Sequence, residues 1–280
     1  MSNIVENYVP HKAIIHEVID ESPDTKTFRF TLADEKLHKE FDFKPGQFCE
    51  FSVFGEGECT FCISSSPTRK EFLECSVKKV GKVTETIHKL RKGHTIGFRG
   101  PYGNWFPVDD LKGKNLIFVG GGIGLAPLRS LIQYVIDKRS DYGKILILYG
   151  ARSVADLCYE RDLKAWYKAP DTELILTVDP GGETPDWRGK VGFVPTVLEQ
   201  LNPSKENTKV VTCGPPIMIK FTVQSLEKMG FKPEDVITTL EMKMKCGIGK
   251  CGRCNIGHIY VCKHGPVFTY AQIKELPQEF

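Results

Sequence analysis

The feature that most constrains this chain is a run of four cysteines near its end. Cys246, Cys251, Cys254 and Cys262 fall in KCGIGKCGRCNIGHIYVCKHGP with the spacing C-x4-C-x2-C-x7-C. The first three match the plant-type ligand run of a two-iron, two-sulfur cluster, with the fourth cysteine further on. Gly247, Gly249 and Gly252 lie between the ligands. Glycine reaches positive φ at little cost, so a short loop can wrap a bulky inorganic core and turn amide N–H groups towards its sulfurs. Lys243, Lys245, Lys250, Arg253 and Lys263 surround the run, and cations are favourable beside a net-negative thiolate cluster. Four cysteines also suit tetrahedral zinc. Zinc sites usually pair two C-x2-C knuckles, and one is present here, so the spacing favours iron and leaves zinc as the alternative.

The 280 residues are 41% hydrophobic and 26% charged, an ordinary globular composition with room for two domains and two cores. A net charge of +3 without a long basic run argues against nucleic acid as a partner. The start, MSNIVENYVPHKAII, lacks the basic and apolar regions of a signal peptide. The most apolar stretch, Leu116 to Leu128, is short and broken by glycines, so no membrane span is expected. The other six cysteines, Cys49, Cys59, Cys62, Cys75, Cys158 and Cys213, fall mostly inside apolar patterns. They read as reduced, buried thiols of a cytoplasmic protein.

From His11 to about Phe98, short period-two segments (HKAIIHEVI, KTFRFTL, GQFCEFSVF, FLECSVKK, TIGFR) alternate with turn residues, the pattern of an antiparallel barrel. One helical segment, VTETIHKL, interrupts them. After Gly113, apolar strands (LIFV, KILILY, ELILTV, KVVTC, VITTLE) alternate with helices near 126–138, 157–166, 194–201 and 217–229, which implies a parallel sheet covered on both faces. The boundary falls near Asp109–Lys114. The cysteine-rich tail is too short for a large core of its own, so a metal is expected to organise it outside both domain cores.

LIFV runs directly into Gly120-Gly121-Gly122-Ile123-Gly124-Leu125-Ala126-Pro127. A glycine turn between a first strand and a first helix lets a pyrophosphate approach the helix amides, although packing alone also asks for glycine there. Cys213-Gly214-Pro215-Pro216 ends a later strand, on the edge of an open α/β sheet where ligands bind. In the barrel half, Gly81-Lys82-Val83-Thr84 opens the helical segment, with Thr84 as its expected N-cap. KILILY ends at Gly150-Ala151-Arg152-Ser153. An arginine at that place accommodates a ribose 2′-phosphate, which leans towards NADP(H) over NAD(H).

Taken together and in this order, KPGQF, GPYGN, GGGIGLAPL, CGPP, KCGIGKCG and YVCKHGPVF resemble the ferredoxin–NADP reductase superfamily. Within it they resemble the iron–sulfur flavoprotein subunits of sulfhydrogenases, anaerobic sulfite reductase and dihydroorotate dehydrogenase. The resemblance spans nearly the whole chain. It implies an antiparallel β-barrel FAD domain over residues 9–110, an α/β parallel-sheet NAD(P)-binding domain over 111–240 and a small 2Fe-2S tail over 241–280. It also implies a route from NAD(P)H through FAD and the cluster to an iron–sulfur-containing partner subunit or ferredoxin. Residues carried over for FAD are Pro45, Gly46, Gln47, Phe61, Cys62, Ile63, Ser64, Gly81, Lys82, Val83 and Thr84, with Phe61 against the ring and Pro45–Gln47 lining its pocket. Those for the nicotinamide nucleotide are Gly121, Gly122, Gly124, Ala126, Pro127, Arg152, Cys213, Gly214 and Pro215. No residue is assigned as a general acid or base. The superfamily pattern R-x-[YF]-[ST] is here Cys59-Thr60-Phe61-Cys62, so its arginine is missing and its hydroxyl is a thiol. A free-standing NAD(P)H:ferredoxin reductase and a non-catalytic assembly subunit with a zinc-binding docking tail are the competing readings.

Overall fold

The computed structural model describes residues 8–277. The first half is a six-stranded antiparallel sheet in the order β4-β3-β6-β1-β2-β5, rolled around one core. Its strands are β1 (His11–Ser22), β2 (Thr25–Leu32), β3 (Phe48–Val53), β4 (Gly57–Cys62), β5 (Leu73–Lys78) and β6 (Thr95–Tyr102). Short helices α1 (Glu35–Glu40) and α2 (Lys82–Ile87) fill gaps between strands. Strict alternation sends Ala13, Ile15, Phe28, Phe30, Cys49, Phe51, Ile96 and Phe98 inward. Phe30 packs edge-on to Phe51 with centroids 5.7 Å apart. In this half two elements are not legible in the sequence. GECTFC forms β4 although its mixed polar and thiol character hides the alternation, and EKLHKE forms α1, capped by Asp34 accepting from the Leu37 amide.

The second half is built on β7 (Asn115–Gly121), β8 (Ile145–Ala151), β9 (Thr172–Val178), β10 (Lys190–Val191), β11 (Thr208–Cys213) and β12 (Val236–Thr239). The sheet order is β10-β9-β8-β7-β11-β12-β15. Helices α3 (Leu125–Asp137) and α4 (Glu160–Tyr167) cover one face, α5 (Val194–Leu201) and α6 (Pro216–Lys228) the other. Leu116 and Phe118 of β7 therefore enter one core while Ile117 and Val119 enter the other. That double coverage is why these strands read as unbroken apolar runs.

The C-terminal segment is less independent than its sequence suggests. It contains β13 (Asn255–Ile256), β14 (Ile259–Tyr260), α7 (Val261–His264), β15 (Val267–Thr269) and α8 (Tyr270–Lys274). β15 adds antiparallel to β12, pairing Thr238 with Phe268 and Thr239 with Val267. Val267 joins the nucleotide-half core, while the cysteine loop packs on Phe48 and Tyr102 of the barrel. The expectation of a tail outside both cores is thus corrected. The segment is too short to bury its apolar residues alone, so it borrows both neighbours. Val267 and Phe268 are buried, whereas Phe280 lies outside the described residues.

The two halves are fastened by Arg129 of α3, a nearly fully buried guanidinium. It binds Glu74 of β5 at 2.5 Å, Asp162 of α4 at 2.7 Å and the Ser64 carbonyl at 3.0 Å. Ser130 adds a bond to the Ser65 carbonyl at 2.6 Å. Burial alone would raise the Glu74 carboxyl, but Arg129 and Arg29 outweigh it and hold it below the usual range. Because Glu74 titrates lower folded than unfolded, its contribution is complete above the ordinary value of about 4.3. It fades as pH falls through the depressed folded value. Arg129→Ala leaves two buried carboxylates without their shared cation and should cost about 3–5 kcal/mol. Chemical denaturation at pH 7 measures this, and an unchanged midpoint would place the strength of the seam elsewhere.

Candidate redox-cofactor site

The cysteine loop is preorganised. Gly247, Gly249 and Gly252 have φ of +73°, +73° and +75°, and a Cβ on Gly247 would lie 2.7 Å from the Tyr102 ring. The turns aim amides at sulfur. Cys246 Sγ accepts from the N–H groups of Lys250 (3.2 Å) and Cys251 (3.4 Å), Cys262 Sγ from Gly249 (3.0 Å), and Cys254 Sγ from Cys262 (3.5 Å). Burial opposes ionisation of Cys246, but the amides of Cys251, Ile248 and Lys250 prevail and bring its thiol down to about 6. Burial and the adjacent Cys254 thiol push Cys262 up to about 12, against the Gly249 amide.

The thiols fall into two side-chain pairs, Cys246 with Cys251 and Cys254 with Cys262. Among the described residues, no set of three or more His, Cys, Asp or Glu converges on a single ion position. Two pairs of thiols lined with amide donors fit a cluster whose two irons each take two protein sulfurs. Of the four ligand candidates, Cys251 is exposed and the others are buried.

This loop covers the outer face of the barrel's β3, β4 and β6. Alternation points Phe48, Glu50 and Ser52 away from the barrel core, a face that ordinarily meets water. Glu50 lies opposite Thr60 and Arg99, and Ser52 opposite Glu58. A bulge between the pairs Phe48–Tyr102 and Glu50–Arg99 inserts an extra residue in β6, which brings Arg99 and Tyr102 onto one face. Arg99 forms a forked pair with Glu58, donates to the Tyr102 hydroxyl (3.2 Å) and donates to the Cys246 carbonyl (3.3 Å). Burial raises Glu50 to about 7, with Thr60 opposing and Glu58 adding to the rise.

A second site opens at the carboxyl edge of the parallel sheet. The glycine turns after β7 and β11 meet there: a Cβ on Gly124 would be 2.5 Å from Gly214 Cα. Their contact borders a cavity of about 700 Å³. Gly121, Gly122, Gly124, Arg152, Gly214 and Pro215 all line it, as expected residues for a nucleotide. Ala126 is buried in the core, Pro127 is absent from the lining, and Cys213 lies just behind, bonded to the Thr239 hydroxyl at 2.9 Å. Asp156 and Asp179 also face the cavity, and Phe193, Ile217 and Phe221 form a strongly exposed apolar mouth. From the barrel come Ser22, Asp24, Thr25 and Lys78. Glu241 sits on its rim, where withdrawal from solvent raises its carboxyl. Sequence reasoning passed over Glu241 because it follows β12 without any motif of its own.

The residues expected around a flavin are spread along the seam. Phe61 of β4 is half-buried and edge-on to Phe51 at 6.0 Å. Cys62 packs against the core of the second half, where burial raises its thiol and Cys75, Cys213 and Glu241 nearby add to the rise. Ile63 and Ser64 are buried, the Ser64 hydroxyl bonding the Glu74 carbonyl (3.1 Å). Pro45, Gly46 and Gln47 are buried in a joint: the Pro45 carbonyl accepts from Phe106, Gln47 donates to the Gly103 carbonyl (3.0 Å), and Gly46 abuts Phe106 and Val267. Gly81 and Lys82 are exposed, Val83 half-buried and Thr84 buried. Thr84 is not the N-cap. Gly81 holds that position, and Thr84, three residues on, accepts from the Val80 and Gly81 amides at 2.9 Å. The hydroxyl reaches back over the first turn and also donates to the Gly81 carbonyl at 2.8 Å.

Comparison with known proteins accounts for the whole arrangement. Residues 12–106 match the oxidoreductase FAD-binding domain family, 118–224 the oxidoreductase NAD-binding domain family, and 241–274 the iron–sulfur cluster binding domain of dihydroorotate dehydrogenase B. The chain is 40% identical to sulfhydrogenase 1 subunit gamma of Pyrococcus furiosus, covering 96% of this chain and 94% of that one. It is 34% identical to a probable dihydroorotate dehydrogenase B electron transfer subunit of Methanocaldococcus jannaschii, covering 93% and 90%. The fold superposes on the NADH-dependent reduced ferredoxin-NADP oxidoreductase structure with a TM-score of 0.75, 23% identity and coverage of 94% and 89%. It also superposes on a ferredoxin NADP+ reductase from Neisseria gonorrhoeae (TM-score 0.68, 20% identity, coverage 81% and 96%). A barrel for FAD, a parallel sheet for NAD(P)H and an amide-lined four-cysteine loop, joined in one chain, make this protein a member of the iron–sulfur flavoprotein electron-transfer subunits of the ferredoxin–NADP reductase superfamily.

Proposed function

We propose that the chain passes electrons between NAD(P)H, bound in the cavity at the sheet edge, and an iron–sulfur redox subunit docked over the cysteine loop, with FAD held along the seam between them. The observation that carries this reading is the seam itself: Cys62 at the end of β4 packs on the nucleotide half near Glu241 of the cavity rim, and the segment that follows, Met242 and Met244 into the cysteine loop, packs on Phe48 and Tyr102 of the barrel. FAD, when bound, supplies the exchange between a two-electron hydride and the single electrons that a two-iron cluster accepts. The chain's own work is positioning. The paired glycine turns leave space for a nucleotide phosphate beside the α3 amides. Phe61 offers an aromatic edge, and the thiols of Cys62 and Cys213, both raised by burial, stay protonated and uncharged beside a hydride path. The exposed cations Lys243, Lys245, Lys250, Arg253 and Lys263 ring the loop and would steer an acidic partner surface. Relatives named as subunits of sulfhydrogenase and dihydroorotate dehydrogenase support a redox partner subunit, which we take to be of hydrogenase, sulfite reductase or heterodisulfide reductase type. Ten unpaired cysteines suit a cytoplasmic setting. No helix among the described residues is long and apolar enough to cross a membrane.

Native purification tests the partner. Co-elution with an iron–sulfur subunit is expected, whereas a monomer that reduces ferredoxin at full rate alone would make this a free-standing reductase. Cys251→Ser should abolish the cluster's visible and EPR signals while FAD is still bleached by NAD(P)H. Loss of both would mean that the two centres are not separable. Thr84→Ala frees two amides at the start of α2 and should weaken FAD retention by about 0.5–2 kcal/mol, read from flavin released on dilution. For the nucleotide, Arg152 lies 4.0 Å from Asp156 with its side chain largely exposed, where it can reach a 2′-phosphate. Arg152→Ala should raise the Kd for NADPH more than that for NADH. Equal affinities before and after would remove the preference for NADP(H).

A further inference from the structure

We propose that Arg99 is a positioning residue for the cluster: it ties the first ligand, Cys246, to the flavin-side strand of the barrel, and its charge favours the cluster's reduced form. The inference rests on the assignment of the four cysteines as cluster ligands.

Arg99 stands on β6 with its side chain only 4% exposed. A buried guanidinium is retained only where its donors are used. Here one edge forks onto Glu58 of β4, while NH1 reaches the Tyr102 hydroxyl and the Cys246 carbonyl, 147 residues further along the chain. Glu58 is held in turn by Ser52 at 2.7 Å. β4 also carries Phe61 and Cys62, so a single side chain links the flavin-side strand to the cluster loop. The bulge in β6 makes this possible by bringing Arg99 and Tyr102 to one face. Gly247 then leaves room for the Tyr102 ring directly beside Cys246.

The electrostatic consequence follows from the sign of the electron. Reduction adds a negative charge to a centre already surrounded by thiolates. A fixed buried cation nearby lowers the energy of that added charge, and the burial of Arg99 and Cys246 weakens screening by solvent. Glu58 opposes Arg99, with Glu50 and Lys245 also close by, so each member of the pair shifts the local field with its own sign. Removing either member must move the potential, and in opposite directions.

The test is an EPR-monitored redox titration of the full chain, with iron and sulfide content measured alongside. Arg99→Gln should lower the cluster's midpoint potential by at least 59 mV, a tenfold loss in the one-electron reduction constant. It should also broaden the EPR signal as the loop at Cys246 loosens. Arg99→Lys, which keeps the charge and loses the fork, should recover most of the potential but not the line shape. If Arg99→Gln does not retain its cluster, Glu58→Gln gives the answer, because it leaves Arg99 and its bond to Cys246 in place and should raise the potential. A cluster-loaded Arg99→Gln with unchanged potential and line shape overturns the inference, as does a Glu58→Gln potential that stays or falls. Wild-type protein devoid of iron and sulfide would instead overturn the cluster assignment itself.

Discussion

The architecture depends on a cation buried between two halves of one chain. Arg129 sits where barrel, α3 and α4 meet, and its bonds to Glu74, Asp162 and the Ser64 carbonyl fix one domain on the other. Such a group is tolerated only when fully paired, which makes the relative placement of the halves close to all-or-none. Cys62, Cys213 and Glu241 gather along the same seam. A cofactor held there takes its surroundings from both halves at once, so the seam must be rigid before either side can position it.

A second buried cation, Arg99, does for the cysteine loop what Arg129 does for the nucleotide half. Arg99 lies on strand β6 and Arg129 on helix α3, and they answer different carboxylates, Glu58 and Glu74. The barrel is in this sense a hub with two charged sockets. Its interior is hydrophobic packing around the contacting thiols of Cys49 and Cys75, and its charged contacts with the rest of the chain lie on its outer surface.

What the sequence disclosed and what it hid divide along physical lines. The parallel strands were legible because burial on both faces leaves uninterrupted runs such as LIFV and KILILY. The cluster ligands were legible because cysteine and glycine spacing is local. β4 was missed because Glu58, Cys59 and Thr60 mask the pleat, and its polar face is satisfied by partners on β3 and β6 rather than by water. Thr84 was set one turn too early because a glycine N-cap gives no side-chain signal. Arg99 and Arg129 were illegible because their partners are separated from them by up to 147 and 65 residues, and nothing in GFRG or PLRS distinguishes a buried arginine from a surface one. The union of β15 with the sheet was hidden for the same reason.

That union has a consequence for how the protein matures. β12 is a short apolar strand whose outer edge is occupied by β15, and β15 follows the last cysteine by only a few residues. A chain that has not received its iron has less to hold this segment in register. If the segment lifts, it uncovers a row of unpaired backbone groups on an apolar sheet, the kind of edge that recruits other chains. Cluster insertion would then serve as a seal on the finished fold.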